Sequence, residues 1–391
     1  MRKILCRSLL FLVLMSYVPT SFAQPPGLSV KGKVLWHGGK PYRGIGANYF
    51  SLFSRMLANG DDKSGLQNLK KLSQAGIPFV RFMCGGFWPV DQKLYLENKA
   101  EYFRRLDRVI QGAEENRIGL IPSLFWNVAT VPDLMGEPLD QLDNPHSKSI
   151  AFIKNYTAEI VARYQHSPAI WGWEFGNEWN LGADLPNAAE QRPAVWPQLG
   201  TPATRSTRDE MKGAWLRAAI AAFAQTARRL DPDRIIETGH AAPRASAWHN
   251  GAEKSWQSDS SAQFGEVLQR DNPDPVNVIS IHLYPDEKSA YSGPATSIEG
   301  ALEAAQTWAQ QIGKPLFVGE FGAERKMGAA KARETFIQFL AAIEKQRVPL
   351  AAFWVFDLPA QNNDWNVDFQ NERADFIALA AQTNARLQAA P

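Results

Sequence analysis

Between Arg43 and the C-terminus, short apolar, β-branched or aromatic runs alternate eight times with stretches of helical periodicity, and no other feature constrains the fold as tightly. The spacing predicts strands over 44–48, 79–83, 119–125, 170–177, 234–238, 276–281, 316–319 and 351–354. Helices are predicted over 64–74 (ended by Gly76), 102–116, 147–164, 208–230, 262–270, 297–312, 331–345 and 373–387. Strands that alternate with helices are joined by right-handed crossovers into a parallel sheet, and strands apolar on both faces are buried on both faces. A doubly wound open sheet would carry a glycine-rich phosphate turn after its first strand. Here Gly-Ile-Gly-Ala-Asn48 runs into Tyr-Phe-Ser instead. The expected fold is therefore a single-domain α/β (β/α)8 TIM barrel over 24–391, which a chain of 391 residues with 45% hydrophobic content can fill as one unit. Lys33-Val-Leu-Trp-His37 before Gly38-Gly39 reads as half of a small hairpin closing the barrel bottom. A Pro-rich insertion over 185–202 follows the fourth strand.

In such a barrel, chemistry sits at the C-terminal strand ends. In order, those ends read Asn48, Arg81, Trp126-Asn127, Asn177-Glu178, His240, His282 with Tyr284, Glu320 and Trp354. Glu178 closes the aromatic run Ile-Trp-Gly-Trp-Glu-Phe-Gly-Asn-Glu-Trp-Asn180, and Glu320 closes Pro-Leu-Phe-Val-Gly-Glu-Phe-Gly322. One such glutamate could be a helix cap or half of a loop ion pair. Two in matching contexts are the equipment of glycoside hydrolysis, with one as proton donor and the other as nucleophile or base. Indole walls would desolvate Glu178 and raise its pKa, as a general acid needs. Arg81 could hold a buried carboxylate ionised. Strand alternation places His282 and Tyr284 on one side.

Trp-Glu-Phe-Gly-Asn-Glu-Trp179 and Val-Gly-Glu-Phe-Gly322 resemble the acid/base and nucleophile strands of glycoside hydrolase family 5, the cellulase and β-mannanase relatives. The resemblance spans about 43–357. It implies catalytic roles for Glu178 (acid/base) and Glu320 (nucleophile) in a retaining double displacement. It also implies that Arg81 contacts the nucleophile, that Asn177 binds the sugar 2-hydroxyl, that Tyr284 donates to Glu320 and that His282 helps set the acid/base. Trp354 would be the platform beneath the reacting sugar. One departure stands out: many members carry a histidine at the end of strand three, where this chain has Trp126 and Asn127. Arg43 to Phe50 and the tryptophan-rich loops resemble the mannanase and cellulase side of the family, so an endo-acting enzyme on β-1,4-mannan or β-1,4-glucan is expected. The insertion could equally wall off one end of the cleft and make an exo-enzyme.

Thirteen tryptophans add to this expectation, because indole faces stack on sugars. Asn48, Trp126, Asn127 and Trp179 are expected to line the substrate site, with Trp88, Trp248, Trp256 and Trp365 as candidates for outer subsites. His240 takes no assigned role. No spacing of histidines or acids suggests a metal site, and neither metal nor cofactor is expected. Asp61-Asp62 or Asp364 with Asp368 could hold calcium but read as solvated loops. A cation-dependent lyase on this barrel would want acids at successive strand ends, and they are absent. The rival from another class is a carbohydrate-binding protein on a barrel that has lost its chemistry, yet both glutamates, Arg81 and Tyr284 are present.

Arg2, Lys3 and Arg7, an apolar stretch from Leu9 to Val18 and the small-x-small Ser-Phe-Ala23 read as a secretory signal over 1–23. The apolar stretch is short for a membrane span. Cleavage would take the formal charge from +2 to −1 and remove Cys6, leaving Cys84 without a disulfide partner. A near-neutral chain without basic runs argues against nucleic acid as partner. The expected product is a secreted or periplasmic monomer whose partner is a polysaccharide or oligosaccharide, with no membrane association after cleavage.

Overall fold

The computed structural model describes residues 26–285 and 297–389, so the 1–23 signal lies outside the described residues. Three short strands come first: β1 (Leu28–Lys31), β2 (Val34–His37) and β3 (Lys40–Pro41), paired antiparallel in sequence order. Eight parallel strands follow: β4 (Gly44–Asn48), β5 (Phe79–Met83), β6 (Gly119–Phe125), β7 (Gly172–Gly176), β8 (Ile235–Glu237), β9 (Ile279–Leu283), β10 (Leu316–Phe321) and β11 (Leu350–Phe353). They form one sheet in the order β8-β7-β6-β5-β4-β11-β10-β9. The seam between β8 and β9 is bridged by Asn277, which donates N–H to Ile236 O at 3.0 Å and accepts Ile236 N–H on its side chain at 2.8 Å. The sheet is thus a nearly closed (β/α)8 barrel, as the alternating pattern predicts.

Most of the differences from the expected boundaries lie at the ends of elements. β9 begins at Ile279 rather than 276 because Asn277 is occupied at the seam. The helix predicted over 208–230 begins at Gly213 because Ser206 and Asp209 cap each other around a separate turn at Thr207–Asp209. β10 runs on through Glu320, so this carboxylate belongs to the ladder itself.

Inward positions run from apolar to polar along the strands: Phe79 then Arg81, Ile121 then Ser123, Ile235 then Glu237, Val278 then Ser280 and His282. The apolar layer, with Trp171, Phe317 and Leu350, is a packed core closed from below by Leu28 and Leu35 of the N-terminal sheet and by Tyr42, which follows it. Leu28 N–H donates to Trp171 O at 2.9 Å, which ties that sheet to the barrel bottom. Outside, the helices bury their apolar stripes in a second, larger core that includes Phe175, Phe223, Phe336 and Phe339. With its bottom filled, the barrel can hold polar groups only toward its C-terminal mouth. Among the described residues no helix is long and apolar enough to cross a membrane.

The 185–202 insertion is fastened to this frame. Arg205 makes a buried two-pronged pair with Asp133, at 2.6 and 2.7 Å, and donates to the carbonyls of Pro193 and Ala194.

Candidate active site

Glu320 is turned toward the barrel axis by an irregularity in β10. Its register against β9 slips between Val318 and Glu320. Gly319 sits at the slip, where a Cβ would lie 2.8 Å from His282 Nε2, so the backbone there needs glycine. Two donors hold the carboxylate: Arg81 Nη1 on Oε1 at 2.8 Å and Tyr284 OH on Oε2 at 2.6 Å.

Glu178 follows β7 in the left-handed region at φ 54°, a conformation that costs a side-chain-bearing residue about 1 kcal/mol. Its N–H donates to Gly239 O at 2.8 Å, and the preceding Asn177 N–H donates to Trp126 O at 3.2 Å. This backbone aims the carboxylate back over Glu320. His282 Nδ1 lies 3.0 Å from Glu178 Oε1 and 3.5 Å from Glu320 Oε1. One ligand atom from each of the three residues lies within 4.8 Å of the others, the one grouping of this kind among the described residues. That closeness is accounted for by the hydrogen bond between His282 and Glu178 and by Arg81 and Tyr284, which hold Glu320 beside them.

Arg81 is the hub beneath. Its side chain is fully buried and donates to Glu174 Oε2 (2.5 Å), Asn48 Oδ1 (2.9 Å), Glu320 Oε1 (2.8 Å) and Asn177 Oδ1 (2.9 Å). Because Asn177 accepts on its oxygen, its amide N–H₂ is left for the cleft, which it lines. The guanidinium lies 4.5 Å from the ring centroid of Trp126. Trp126 in turn stacks beside Trp354, with centroids 6.1 Å apart. The tryptophan at the end of the third strand therefore caps Arg81 and braces Trp354.

Electrostatics separates the two carboxyls. Burial raises the Glu178 pKa, with Arg81 and Arg244 opposing. Burial raises Glu320 as well, against His282, Arg81 and the Tyr284 hydroxyl. The two titrate as a pair, and geometry places the shared proton. Glu320 has a cation and a hydroxyl bonded to it, whereas Glu178 has no bonded cation and is partly open to solvent. The proton therefore sits on Glu178. Burial holds His282 neutral, with its pKa down to about 4. Burial and the Glu320 charge push Tyr284 well above its usual range, so it remains a donor.

Two adjoining hollows meet at Glu178. One, of about 340 Å³, holds Glu320, Tyr284, Trp354 and Trp365. The other, of about 280 Å³, holds Asn127, Leu181, Gln191 and Pro193. Phe87, Trp126, Asn177 and Glu178 line both. A bond cleaved between the two carboxylates would lie at this junction.

Several expected substrate residues are placed differently. Asn48 is fully buried, and its amide donates to Gly319 O, Ala352 O and Phe353 O; it braces β10, β11 and Arg81 rather than facing the cleft. Trp179 lines the second hollow as expected but presents little surface there: it is 3% exposed, its N–H bonds Phe125 O and Trp126 O, and its ring packs against Phe175. Arg81 and His282 have no exposed surface and act through the carboxylates. Trp248, bonded to Glu266, and Trp256, 54% exposed, line neither hollow. Trp365 does line one, edge-on to Tyr284. Sequence reasoning missed Glu174 and Glu237, fully buried below the mouth. The signal was there: a lone acid at an inward position of an otherwise apolar strand.

Arg81→Met would strip Glu174 of its cation in a closed core, where a lone charge costs about 3–5 kcal/mol. Urea denaturation is expected to show a loss of that size, with Arg81→Lys losing less. Equal stability of Arg81→Met and wild type would remove Arg81 from the centre of this network.

A nearly closed (β/α)8 barrel carrying paired glutamates at the ends of its fourth and seventh strands has the architecture of the barrel glycosidases. The family model described as Cellulase (glycosyl hydrolase family 5) matches residues 42–356, and the chain belongs to that family. Its substrate class is thereby carbohydrate. No curated protein matches the sequence. Among solved structures, the fold is similar to the endo-1,4-β-mannanase of Rhizomucor miehei, with TM-score 0.64 and 16% identity over 93% of this chain and 99% of that one. It is also similar to an exo-β-1,4-mannosidase from Opitutaceae bacterium strain TAV5, with TM-score 0.59 and 17% identity over 89% and 61%. The endoglucanase Cel5A of Pseudomonas stutzeri superposes with TM-score 0.55 and 16% identity over 90% and 97%.

Proposed function

We propose that this protein is a retaining β-glycoside hydrolase acting on β-1,4-linked mannan or glucan. The observation that carries the mechanism is that a carboxylate oxygen of Glu178 and one of Glu320 lie within 4.8 Å of each other. Inverting enzymes keep their carboxyls about 6.5–9.5 Å apart to admit a water, whereas retaining ones hold them about 5–5.5 Å apart. In the first step Glu320 attacks the anomeric carbon as the glycosidic C–O bond breaks, and Glu178 gives its proton to the departing oxygen. The product is a glycosyl ester on Glu320. Glu178, now a carboxylate, takes a proton from water as that water's oxygen attacks the anomeric carbon, the ester bond breaks, and both groups return to their starting states. Asn177, with its N–H₂ toward the cleft, is suited to the sugar 2-hydroxyl, and Trp354 to the ring face.

The mannan side is supported by the names of several structural neighbours and by the aromatic walls of both hollows. Hydrolysis of a panel of β-mannans, β-glucans and aryl β-glycosides tests it. Binding of these sugars without cleavage would hand the case to a non-catalytic carbohydrate-binding barrel. An exo-acting reading draws on the 185–202 insertion, whose Gln191 and Pro193 line the second hollow. Release of single sugars from a hexasaccharide would decide for it, and mid-chain cleavage against it. Export through the 1–23 signal is part of the same proposal, tested by the N-terminal sequence of the secreted or periplasmic form.

The pH dependence follows from the two carboxyls. Falling pH protonates Glu320 and removes the nucleophile; rising pH strips Glu178 of its proton and removes the acid. Both pKa values are raised, so kcat/KM is expected to be bell-shaped with its acidic limb above the ordinary glutamate value. A dinitrophenyl glycoside, whose leaving group needs no proton, should lose the alkaline limb. Persistence of that limb would mean that Glu178 is not the acid.

A further inference from the structure

Glu174 and Glu237 are residue partners on the adjacent strands β7 and β8, and both side chains are fully buried. Each carboxyl has one oxygen in use. Glu174 Oε2 accepts from Arg81 Nε at 2.5 Å, and Glu237 Oε2 accepts from Gly239 N–H at 2.6 Å. The other oxygens, Glu174 Oε1 and Glu237 Oε1, are buried without a hydrogen-bond partner. Two carboxylates side by side in a closed interior cannot both be ionised, and an unsatisfied buried acceptor is costly. A single proton shared between these two unpartnered oxygens of adjacent residues would satisfy both.

We propose that Glu174 and Glu237 hold one proton between them, carried by Glu237 Oε1 and donated to Glu174 Oε1, and that the pair positions both catalytic carboxyls. The assignment to Glu237 follows from the partners: Glu174 bonds the Arg81 cation, whereas Glu237 bonds a neutral peptide N–H. Burial works against the Glu174 charge, but Arg81 and hydrogen bonds from Glu237 and Ser123 bring it below the ordinary glutamate value. Burial and the Glu174 charge push Glu237 well above it.

Two supports run upward from the pair. Through Arg81, Glu174 fixes the guanidinium that holds Glu320, Asn177 and Asn48. Through Gly239, Glu237 holds the turn whose carbonyl accepts the N–H of Glu178 and keeps that residue at positive φ. Gly239 itself stands at φ 68°, where a Cβ would lie 1.8 Å from Gly176 O, so this turn admits no other residue. Glu174 and Glu237 are positioning residues; neither touches the cleft.

The inference rests on the proposed roles of Glu178 and Glu320, but its first test does not use activity. Glu237→Gln keeps the donor toward Glu174 and the acceptor for Gly239 N–H, so it has the shape of the protonated acid but cannot titrate. The surrounding charged and titratable groups, Arg81, Glu178, His240, His282 and Glu320, are common to both proteins and cancel in the comparison. A carboxyl whose folded pKa is raised stabilises the fold below its unfolded pKa, and that stability is lost as pH rises toward the folded pKa. The wild-type melting midpoint is therefore expected to fall relative to that of Glu237→Gln as pH rises above the ordinary glutamate value, with a slope of one proton per molecule. Parallel curves would overturn the proposal.

In kinetics, Glu237→Gln should keep kcat/KM within about threefold and leave its pH profile in place, whereas Glu174→Gln should lose about 30-fold or more, most of it in kcat. The reverse order would put the proton on Glu174 and overturn the assignment. If Glu237→Gln does not fold, infrared spectroscopy of Glu178→Gln, in which the acid/base has no carboxyl band, still decides. A protonated-carboxyl C=O band persisting at pH 8 is expected, and its absence refutes the shared proton.

Discussion

Glu320→Ala is expected to lower kcat on every substrate by about 10⁵-fold, or about 7 kcal/mol of barrier, and azide should restore turnover as the α-glycosyl azide. The loss is large because the variant has no other group placed to attack the anomeric carbon. Arg81 and Tyr284 both point at the Glu320 oxygens and cannot replace them. The alanine leaves a hollow on the side from which Glu320 would attack. A small anion entering there displaces the leaving group once, with inversion, while Glu178 still supplies the proton. The anomeric configuration of the azide product, read by NMR, is the measurement. A β-azide from this variant, or unchanged activity, would mean that Glu320 is not the nucleophile.

The second large effect belongs to Glu178→Ala, and it should depend on the leaving group. Positioned acid–base catalysis contributes about 10²–10⁴-fold. A natural oligosaccharide, whose departing alkoxide needs the proton, should lose near the upper end of that range. A dinitrophenyl glycoside should form the glycosyl ester at close to the wild-type rate and then stall, because no base activates water, giving a burst of phenolate. Azide needs no base, so it should speed the second step and yield the β-glycosyl azide, opposite in configuration to the Glu320→Ala product. Equal losses on good and poor leaving groups would remove Glu178 from the acid/base role.

Much of this was legible in the linear chain because the barrel repeats a simple physical rule. A strand covered on both faces must be apolar, so a polar residue that ends such a run stands out, and Arg81, Glu178, His282, Tyr284 and Glu320 were all found in this way. The structure brings these five together. The same rule failed where a polar strand end serves the interior. Asn48 looks like a site residue in sequence but satisfies backbone carbonyls, a distinction that depends on what lies opposite across the barrel.

Taken alone, the amino-acid sequence determined the strand–helix alternation, the polar mouth of the barrel and the two glutamates, because each is encoded in local periodicity and composition. Only the tertiary structure decided how those groups are held. The slip in β10 at Gly319, the left-handed turn at Glu178, Trp126 over Arg81 and the buried Glu174–Glu237 pair all arise between segments far apart in the chain. Their geometry is set by strand register and by the need to partner every buried charge, which are properties of the closed barrel and of no single strand.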